Sequence, residues 1–382
     1  MTFGIKSKIL IDGTGKDPIR DGILLIEGDR IVDVGTPEEV RIPAQTEILD
    51  LSDQTLLPGL IDVHSHISLP PQLRSPDSVR AFWVTHNLRR YLKSGVTTIR
   101  VVGEFNFLDV YCKQAVEAGV VPGPRMLVSG IPLDSSSGHG LGVTVDGVEA
   151  VRKAVRENLR GGVDLIKIFV TPTLGARASQ PTDHHYSQEE IAMAVEEAHR
   201  SGKRVAAHAH GGQGLRYCLA AGVDTIEHGL YITPADIDLI VEKGAWLVCT
   251  YGTLYHKDGL EKTLFSDEVL KARILQARAE TPERFRRAYE AGVKYTVGTD
   301  NMIGFLAFEL ECLVKFGVSP MEAIVAATHR AAEACGVQDD VGTLEAGKLA
   351  DCISVQGNPL QQIEVLHEVG LVMKGGQRYD TL

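Results

Sequence analysis

The chain has 382 residues, 44% of them hydrophobic and 23% charged, a globular balance that allows one large domain with a smaller appendage. Its formal net charge of −11 argues against nucleic acid or an anionic membrane surface as the main partner. No apolar run reaches the roughly 18 residues that a membrane span needs. We therefore expect neither nucleic acid nor a membrane as a partner.

Two features of the sequence bear on the cellular compartment. Residues 1–6 lack the basic and then apolar layout of a signal peptide and are typical of a strand start. The six cysteines are scattered, with no Cys-x-x-Cys motif, and resemble small core residues in a reducing compartment. We therefore expect a cytoplasmic protein.

The two ends of the chain share a pattern of short apolar segments separated by turns. Residues 1–57 carry short apolar segments separated by Gly-Asp and Asp-Gly turns, which predict a small β-structure. Residues 341–382 contain similar runs, 350–355 and 369–376. We expect both ends to meet in one β-sandwich domain beside a central domain of residues 58–340.

Within the central segment, a helical pattern that closes at a glycine recurs, and each glycine is followed by a short β-rich run. A glycine just past a helix end can adopt the left-handed conformation that stops the helix. The glycines are Gly95, Gly119, Gly162, Gly202, Gly222, Gly244 and Gly292, and the runs are 97–102, 125–130, 164–170, 204–208, 224–228, 245–250 and 294–299. With a strand that ends at His64, the chain has eight strands alternating with helices. This pattern predicts an α/β fold, a (β/α)8 TIM barrel.

Two of the predicted helices have clear start signals. Ser187 to Glu190 form a capping box that opens a helix ending at Gly202. Ser319 and Pro320 are an N-cap and a first-turn proline, and the helix that they begin is predicted to run through Cys335.

Ionisable side chains lie at or near the ends of five of the predicted strands. His64 and His66 end the first strand, and side chains at i and i+2 of a strand point to the same side, so both imidazoles suit one metal ion. The other side chains are Lys167 on strand four, His208 on strand five, His228 on strand six and Asp300 on strand eight. The catalytic face of such a barrel lies at the carboxyl ends of its strands. We expect these groups to converge there; the alternative is a set of polar residues that merely cap strand ends.

Lys167 is the most informative of these residues because it interrupts an apolar strand. Burial lowers the pKa of a lysine and makes neutral amine available. A neutral amine can react with carbon dioxide to give an anionic carbamate, which could bridge two divalent metal ions about 3.5–4 Å apart. The alternative is a lysine that extends out of the barrel end into solvent.

Taken together, these motifs resemble the amidohydrolase superfamily over nearly the whole chain. The residues that carry the resemblance are 58–66 (Pro-Gly-Leu-Ile-Asp-Val-His-Ser-His), Lys167, 206–211 (Ala-Ala-His-Ala-His-Gly), 226–229 (Ile-Glu-His-Gly), 298–300 (Gly-Thr-Asp) and 342–351. The chain is most similar to the prolidase-like and carboxypeptidase-like members, which are related to imidazolonepropionase-type and ochratoxin-amidase-type proteins.

The resemblance implies a binuclear metal site and the residues that hold it. The implied ligands are His64, His66, carboxylated Lys167, His208, His228 and Asp300. Two divalent ions are expected, with zinc the first choice for imidazole and oxygen ligands and cobalt, manganese or iron as alternatives.

Three further residues are candidates for contact with the substrate. His210 shares a strand face with His208, and the resemblance favours His208 as the ligand, which leaves His210 facing the substrate or supporting the site. His139 lies in the glycine-rich run 137–140 and resembles a group that contacts the substrate carbonyl or carboxylate; a plain loop histidine is the alternative. Tyr231 follows His228 closely enough to reach the pocket.

The implied reaction is hydrolysis of an amide bond in a dipeptide or N-acyl amino acid, as in an Xaa-Pro dipeptidase. A hydroxide shared by the two metals would attack the carbonyl, Asp300 would move its proton to the departing amine, and His139 would be an additional donor. The alternatives are a metal-dependent deaminase, a lactonase or phosphotriesterase on the same barrel, and a non-catalytic scaffold. We expect a small-molecule substrate and a homo-oligomer.

Two loops depart from the family pattern. Residues 170–175 (Val-Thr-Pro-Thr-Leu-Gly) follow Lys167 where many relatives have a glycine pair, and the apolar segment 301–305 after Asp300 lacks a histidine often found there. In this fold both loops would line the pocket mouth. Arg177 and Arg216 are the nearest candidates for a clamp on a substrate carboxylate, although both could be solvated.

Overall fold

The computed structural model of the protein describes residues 2–69, 75–139, 142–264 and 266–379. Met1 and residues 380–382, which end the two predicted terminal segments, lie outside the described residues, as does Gly140 of the glycine-rich run. The strands in the described part of the chain are β1 (Thr2–Leu10), β2 (Ile19–Arg20), β3 (Ile23–Glu27), β4 (Arg30–Gly35), β5 (Glu47–Pro58), β6 (Leu60–Ser65), β7 (Val96–Val101), β8 (Arg125–Val128), β9 (Leu133–Asp134), β10 (Val143–Thr144), β11 (Leu165–Phe169), β12 (Arg204–Ala209), β13 (Thr225–His228), β14 (Trp246–Cys249), β15 (Lys294–Val297), β16 (Cys352–Gln356), β17 (Val369–Lys374) and β18 (Gln377–Arg378).

Helices alternate with the central strands. The α-helices within the described residues are α1 (Asp77–Lys93), α2 (Leu108–Glu117), α3 (Val148–Gly161), α4 (Gln188–Arg200), α5 (Gly212–Ala221), α6 (Pro234–Lys243), α7 (Tyr251–Tyr255), α8 (Leu260–Leu264), α9 (Glu268–Glu290), α10 (Leu306–Lys315), α11 (Pro320–Ala326) and α12 (His329–Cys335). Short 3-10 helices cover Phe105–Phe107 and Ile363–His367. No helix in the described residues is long and apolar enough to cross a membrane.

Both ends of the chain contribute to one eight-stranded sheet. Its order is β18-β17-β16-β5-β1-β3-β4, and β2 pairs with β1. Strand β5 joins the two ends because it is parallel to β1 on one side and antiparallel to β16 on the other. Residues from both ends also share a hydrophobic core that includes Ile5, Leu24, Leu344 and Leu371. The ends therefore meet as expected, while the sandwich arrangement itself remains a prediction.

All eight predicted central strands are present, in parallel sheets. Strands β9 to β15 belong to a sheet of order β10-β9-β11-β12-β13-β14-β15, and β6-β7-β8 form a second sheet. Backbone hydrogen bonds link the two sheets at both ends. Asp300 N donates to His64 O at 2.7 Å beside β6, and Asp164 N donates to Val128 O at 2.7 Å beside β8. Strands β9 and β10 were not predicted, since each has only two residues and no periodicity to reveal it.

The predicted helix ends are largely confirmed. The seven glycines have φ between +67° and +87°, the left-handed region in which glycine is favoured. Ser187 and Glu190 form the predicted capping box of α4. The helix predicted from Pro320 to Cys335 is broken instead into α11 and α12.

The break between α11 and α12 has a cause in the barrel wall. The hydroxyl of Thr296 on β15 donates to Ala326 O at 2.7 Å, and Ile61 N on β6 donates to Ala327 O at 2.8 Å. These bonds tie the end of α11 to the strands of the barrel wall. Thr328 accordingly leaves the helical region, with φ −132° and ψ −93°.

Candidate metal centre

The carboxyl ends of the central strands bring the predicted ligands together. His64 lies in β6 with His66 just after it, Lys167 lies in the middle of β11, and His208 lies in β12. His228 ends β13, and Asp300 follows β15. Strand register places them on one edge, since His208 pairs with Phe169 of β11 and His228 with Ala209 of β12.

Distances between the side chains show a compact cluster. Ligand atoms of His64, His228 and Asp300 all lie within 4.8 Å of one another. The His64 ring centroid is 5.6 Å from that of His66 and 4.7 Å from that of His228, and the His208 and His228 centroids are 4.6 Å apart. His66 Nε2 is 3.4 Å from Asp300 Oδ1. This arrangement of imidazoles and a carboxylate suits divalent metal ions.

Lys167 lies beneath this cluster with its amine buried. The residue is 1% exposed, and its Nζ has no hydrogen-bond partner among the described residues. Burial lowers the pKa of Lys167 to about 8. A buried amine without a hydrogen-bond partner is uncommon, and here it lies among side chains that can bind a metal ion. The alternative in which Lys167 extends into solvent does not describe this structure.

The histidines are held neutral, the form in which imidazole binds metals. Burial lowers the pKa of His64 to about 4 and that of His210 to about 3, with the Lys167 charge as the next cause in each case. Burial also holds the pKa values of His208 and His228 well below the ordinary range. Lone pairs on these rings are therefore available near pH 7.

Two residues that the sequence analysis missed support His64 from below. Glu227 is fully buried and its carboxylate accepts hydrogen bonds from His64 Nδ1 at 2.6 Å, Arg100 Nη2 at 2.7 Å and the Thr225 hydroxyl at 2.5 Å. Arg100 also donates to Val63 O at 2.5 Å. Because Nδ1 of His64 carries the proton toward Glu227, Nε2 is left for a metal ion.

Neighbouring positive charge keeps Glu227 ionised in the interior. Burial alone would raise the pKa of Glu227, but the Arg100 guanidinium and the His64 hydrogen bond outweigh it and hold that pKa well below its usual range. One signal for the pair was present in the sequence. A carboxylate in the short strand Thr225–His228 and an arginine in the apolar strand Val96–Val101 both need buried partners.

Two of the candidate ligands adopt strained backbone conformations. His228 has φ +75° and Asp300 has φ +55°, values that side-chain-bearing residues adopt rarely and that cluster at functional sites. Each is held in place: His228 Nδ1 is 2.7 Å from the Thr250 hydroxyl, and Asp300 O accepts from His66 N at 3.2 Å. Both residues are thereby aimed at the cluster.

The candidate substrate contacts fall into two groups. His139 stacks on Phe169 at 4.3 Å and lies 4.5 Å from the His208 ring, and both of its ring nitrogens are buried without a hydrogen-bond partner in the described part of the chain. The His210 ring lies 4.7 Å from the His208 ring in an edge-on contact, and both line the cavity. Tyr231 instead lies beside the cavity, where its ring is 6.2 Å from that of His210.

A cavity of about 310 Å³ opens above these side chains. The residues that line it are His64, His66, His139, Phe169, Thr173, Leu174, Gly175, His208, His210, His228, Leu230, Thr253, Leu260, Leu264, Asp300 and Asn301. The two arginines considered as carboxylate clamps are engaged elsewhere. Arg177 pairs with Asp267 at 2.6 Å, and Arg216 pairs with Asp236 at 2.8 Å.

The parallel strands and the histidine and aspartate cluster at their ends agree with comparison to known proteins. Residues 55–378 match the amidohydrolase family, and the chain belongs to that family. Its relatives share the TIM-barrel fold, so this fold is implied for the chain as well.

Three individual proteins are similar to this chain over nearly its whole length. The chain is 30% identical to ochratoxinase of Aspergillus niger, over 98% of this chain and 86% of that protein. A crystal structure of a Xaa-Pro dipeptidase with bound methionine in the active site is similar with a TM-score of 0.91 and 31% identity, covering 99% of this chain and all of that one (100%). A prolidase complexed with N-methylphosphonate-L-proline has a TM-score of 0.91 and 29% identity, covering 99% of each chain.

These comparisons confirm two predictions from the sequence. The resemblance to the amidohydrolase superfamily is correct, and the protein is a hydrolytic enzyme that acts on amide bonds. The family is generally metal-dependent, in agreement with the cluster of His64, His228 and Asp300.

Proposed function

We propose that the protein is a binuclear metal-dependent hydrolase that cleaves the amide bond of a dipeptide or an N-acyl amino acid. The observation that carries this proposal is the buried, unpartnered amine of Lys167 within a group of histidines and Asp300. Similarity to a Xaa-Pro dipeptidase and to ochratoxinase supports an amide next to a carboxylate-bearing group.

In this proposal six side chains hold two divalent ions, with zinc as the first choice. They are His64, His66, Lys167, His208, His228 and Asp300. The Lys167 amine would attack carbon dioxide, forming an N–C bond as one C–O π bond becomes a carboxylate oxygen and the nitrogen loses a proton to solvent. The resulting carbamate would supply the two ions with a negative charge that neutral histidines cannot provide.

The protein groups divide the chemistry among them. When bound, the metal ions supply a nucleophilic water at neutral pH and polarise the scissile carbonyl. The Asp300 carboxylate accepts a proton from the attacking water and passes it to the departing amine. The unpartnered ring nitrogens of His139 and His210 are positioned to bind substrate oxygens, and Tyr231 supports the substrate side of His210.

The proposal extends to the organisation of the chain. The two central sheets close into one barrel through the hydrogen bonds at Asp300 and Asp164. Residues 58–340 form this catalytic domain, and residues 1–57 and 341–382 form a β-sandwich against it. The enzyme is proposed to act in the cytoplasm as a homo-oligomer.

The experiment is a hydrolysis screen of enzyme reconstituted with zinc and bicarbonate against dipeptides and N-acyl amino acids. We expect release of a free amine with two metals per chain, and we expect mass spectrometry under native conditions to show the mass of carbon dioxide on Lys167. The matched control is Asp300→Asn, loaded in the same way. A single metal per chain with unmodified Lys167, or release of ammonia alone, would instead indicate a deaminase.

A further inference from the structure

One side of the cavity is apolar, and it is formed by residues outside the metal centre. Leu174, Leu230, Leu260 and Leu264 line it together, and we call these four residues the leucine wall. Leu174 and Leu230 are 4% and 5% exposed, while Leu260 and Leu264 are half-buried. The remaining exposed surface of these side chains faces the space above the histidines, so the cavity has a polar floor and an apolar side.

Three separate segments build the leucine wall. Leu174 belongs to the loop after β11, Leu230 to the loop after β13, and Leu260 and Leu264 are four residues apart on α8, hence on one helix face. The loop and α8 touch, since a Cβ at Gly175 would lie 3.5 Å from Leu264 Cδ1. The loop of Leu174 and the helix of Leu264 therefore adjoin, and Leu230 lines the same cavity.

Arg273 on α9 fixes the loop that carries Leu174. Its guanidinium donates to three backbone carbonyls of that loop, Leu174 O at 3.0 Å, Ala176 O at 2.7 Å and Ser179 O at 3.3 Å. A planar guanidinium with several fixed donors can hold a loop in one conformation. Leu174 is therefore held at a fixed position on the side of the cavity.

The charge distribution supports an apolar occupant. Among the described residues that line the cavity there is no lysine or arginine, and the ionisable groups are the histidines and Asp300 at the floor. A branched aliphatic or aromatic group fits against leucine side chains by removing apolar surface from water. A charged or amide-bearing group of the same shape would lose its hydration against the four leucines, which offer no hydrogen-bond partner. The other polar side chains that line the cavity are Thr173, Thr253 and Asn301.

We propose that the leucine wall binds a neutral, apolar group attached to the scissile amide, and that Arg273 is a positioning residue for this subsite. Preferred substrates are then amides that carry a branched aliphatic or aromatic group next to the reacting bond. This inference rests on the proposed function for the identity of the bond, but the apolar subsite can be tested without turnover.

The test compares two carboxylates of equal shape on the metal-loaded protein. 4-Methylpentanoate ends in an isopropyl group and succinamate in a carboxamide, so their difference in binding measures the apolar subsite alone. By isothermal titration we expect 4-methylpentanoate to bind at least about tenfold more tightly. Leu264→Asn should reduce this preference to within about twofold, whereas the control Leu275→Asn, at an exposed position on α9, should leave it unchanged.

Arg273→Gln provides a second variant with a different readout. We expect it to weaken 4-methylpentanoate by roughly tenfold with little change for succinamate or for metal content, because only the loop is released. A purely structural role would weaken both ligands equally.

Equal affinity for the two carboxylates in the parent protein, or no binding of either at millimolar concentration, would overturn the proposal. So would a preference that Leu264→Asn leaves intact. If the protein shows the apolar preference but hydrolyses no amide, the proposed function is refuted and the apolar subsite at the leucine wall is still supported.

Discussion

The substitution Glu227→Gln tests how the interior of the fold prepares His64. In the parent protein one carboxylate oxygen accepts from His64 Nδ1, and the other accepts from Arg100 and Thr225. A glutamine keeps the shape but offers one acceptor and one NH₂ group in place of two acceptors. The charged Arg100 will attract the carbonyl oxygen, so the NH₂ group will face His64 Nδ1.

This orientation has a direct consequence for metal binding. Nδ1 of His64 must then accept a hydrogen bond, and the ring proton moves to Nε2, the atom that is otherwise free for a metal ion. Loss of such a supporting group typically lowers metal affinity about 10–100-fold. Arg100 also loses the charge of its buried partner, which we expect to cost about 3–5 kcal/mol of stability in the metal-free protein.

Two measurements separate these effects: zinc affinity by competition with a chelator, and urea denaturation of the metal-free protein. Asp109→Asn is the matched control because Asp109 is also fully buried and accepts from Gly130 N at 2.8 Å, away from the metal centre. We expect the control to lose stability but to bind zinc normally. The double variant Glu227→Gln with Arg100→Met should recover stability without recovering zinc affinity. Zinc affinity of Glu227→Gln within about twofold of the parent would refute the reasoning.

Three further predictions concern the cluster itself. Lys167→Met should lower the metal content from two ions per chain while the fold is retained, as measured by elemental analysis and circular dichroism; two ions in this variant would contradict the assigned bridge. Asp300→Asn should keep metal and lower kcat by about 10²–10⁴-fold, and unchanged turnover would exclude its role in proton transfer. The metal-free protein should lose stability as the pH falls from about 7 to 4, because burial lowers the pKa of His64 to about 4 and that of His139 to about 3, so the unfolded chain takes up protons first. His64 alone should contribute about 3 kcal/mol to this loss, and equal urea midpoints at pH 7 and 5 would contradict the prediction.

The positions of the eight central strands along the chain could be predicted because the signals for them are local. A glycine that ends a helix and a short apolar run that follows it depend on neighbouring residues only. The same logic failed for the helix predicted from Pro320 to Cys335, where Thr296 and Ile61, distant in sequence, bind the carbonyls of residues 326 and 327 at the break. The meeting of the two chain ends was inferred from their similar pattern of short apolar segments and turns. Their pairing through β5 and its register follow from contacts that no local pattern contains.

The side chains predicted as metal ligands lie together in the structure for a related reason, whereas the residues that support them were not predicted. His64 and His66 share a face through strand periodicity, and strand ends of a parallel barrel gather on one side, so position along the chain is enough to group them.

Glu227 cannot be placed in the same way: the next residue, His228, has φ +75°, so strand alternation does not decide where the two side chains point, and the Glu227 carboxylate reaches both His64 and Arg100 of other strands. Whether that meeting takes place depends on the tilt and stagger of the strands, which set the layers of side chains inside a barrel. The sequence therefore shows that a carboxylate lies in a short buried strand. Only the folded structure shows that its partners are Arg100 and His64, and hence that it fixes the proton of His64 on Nδ1.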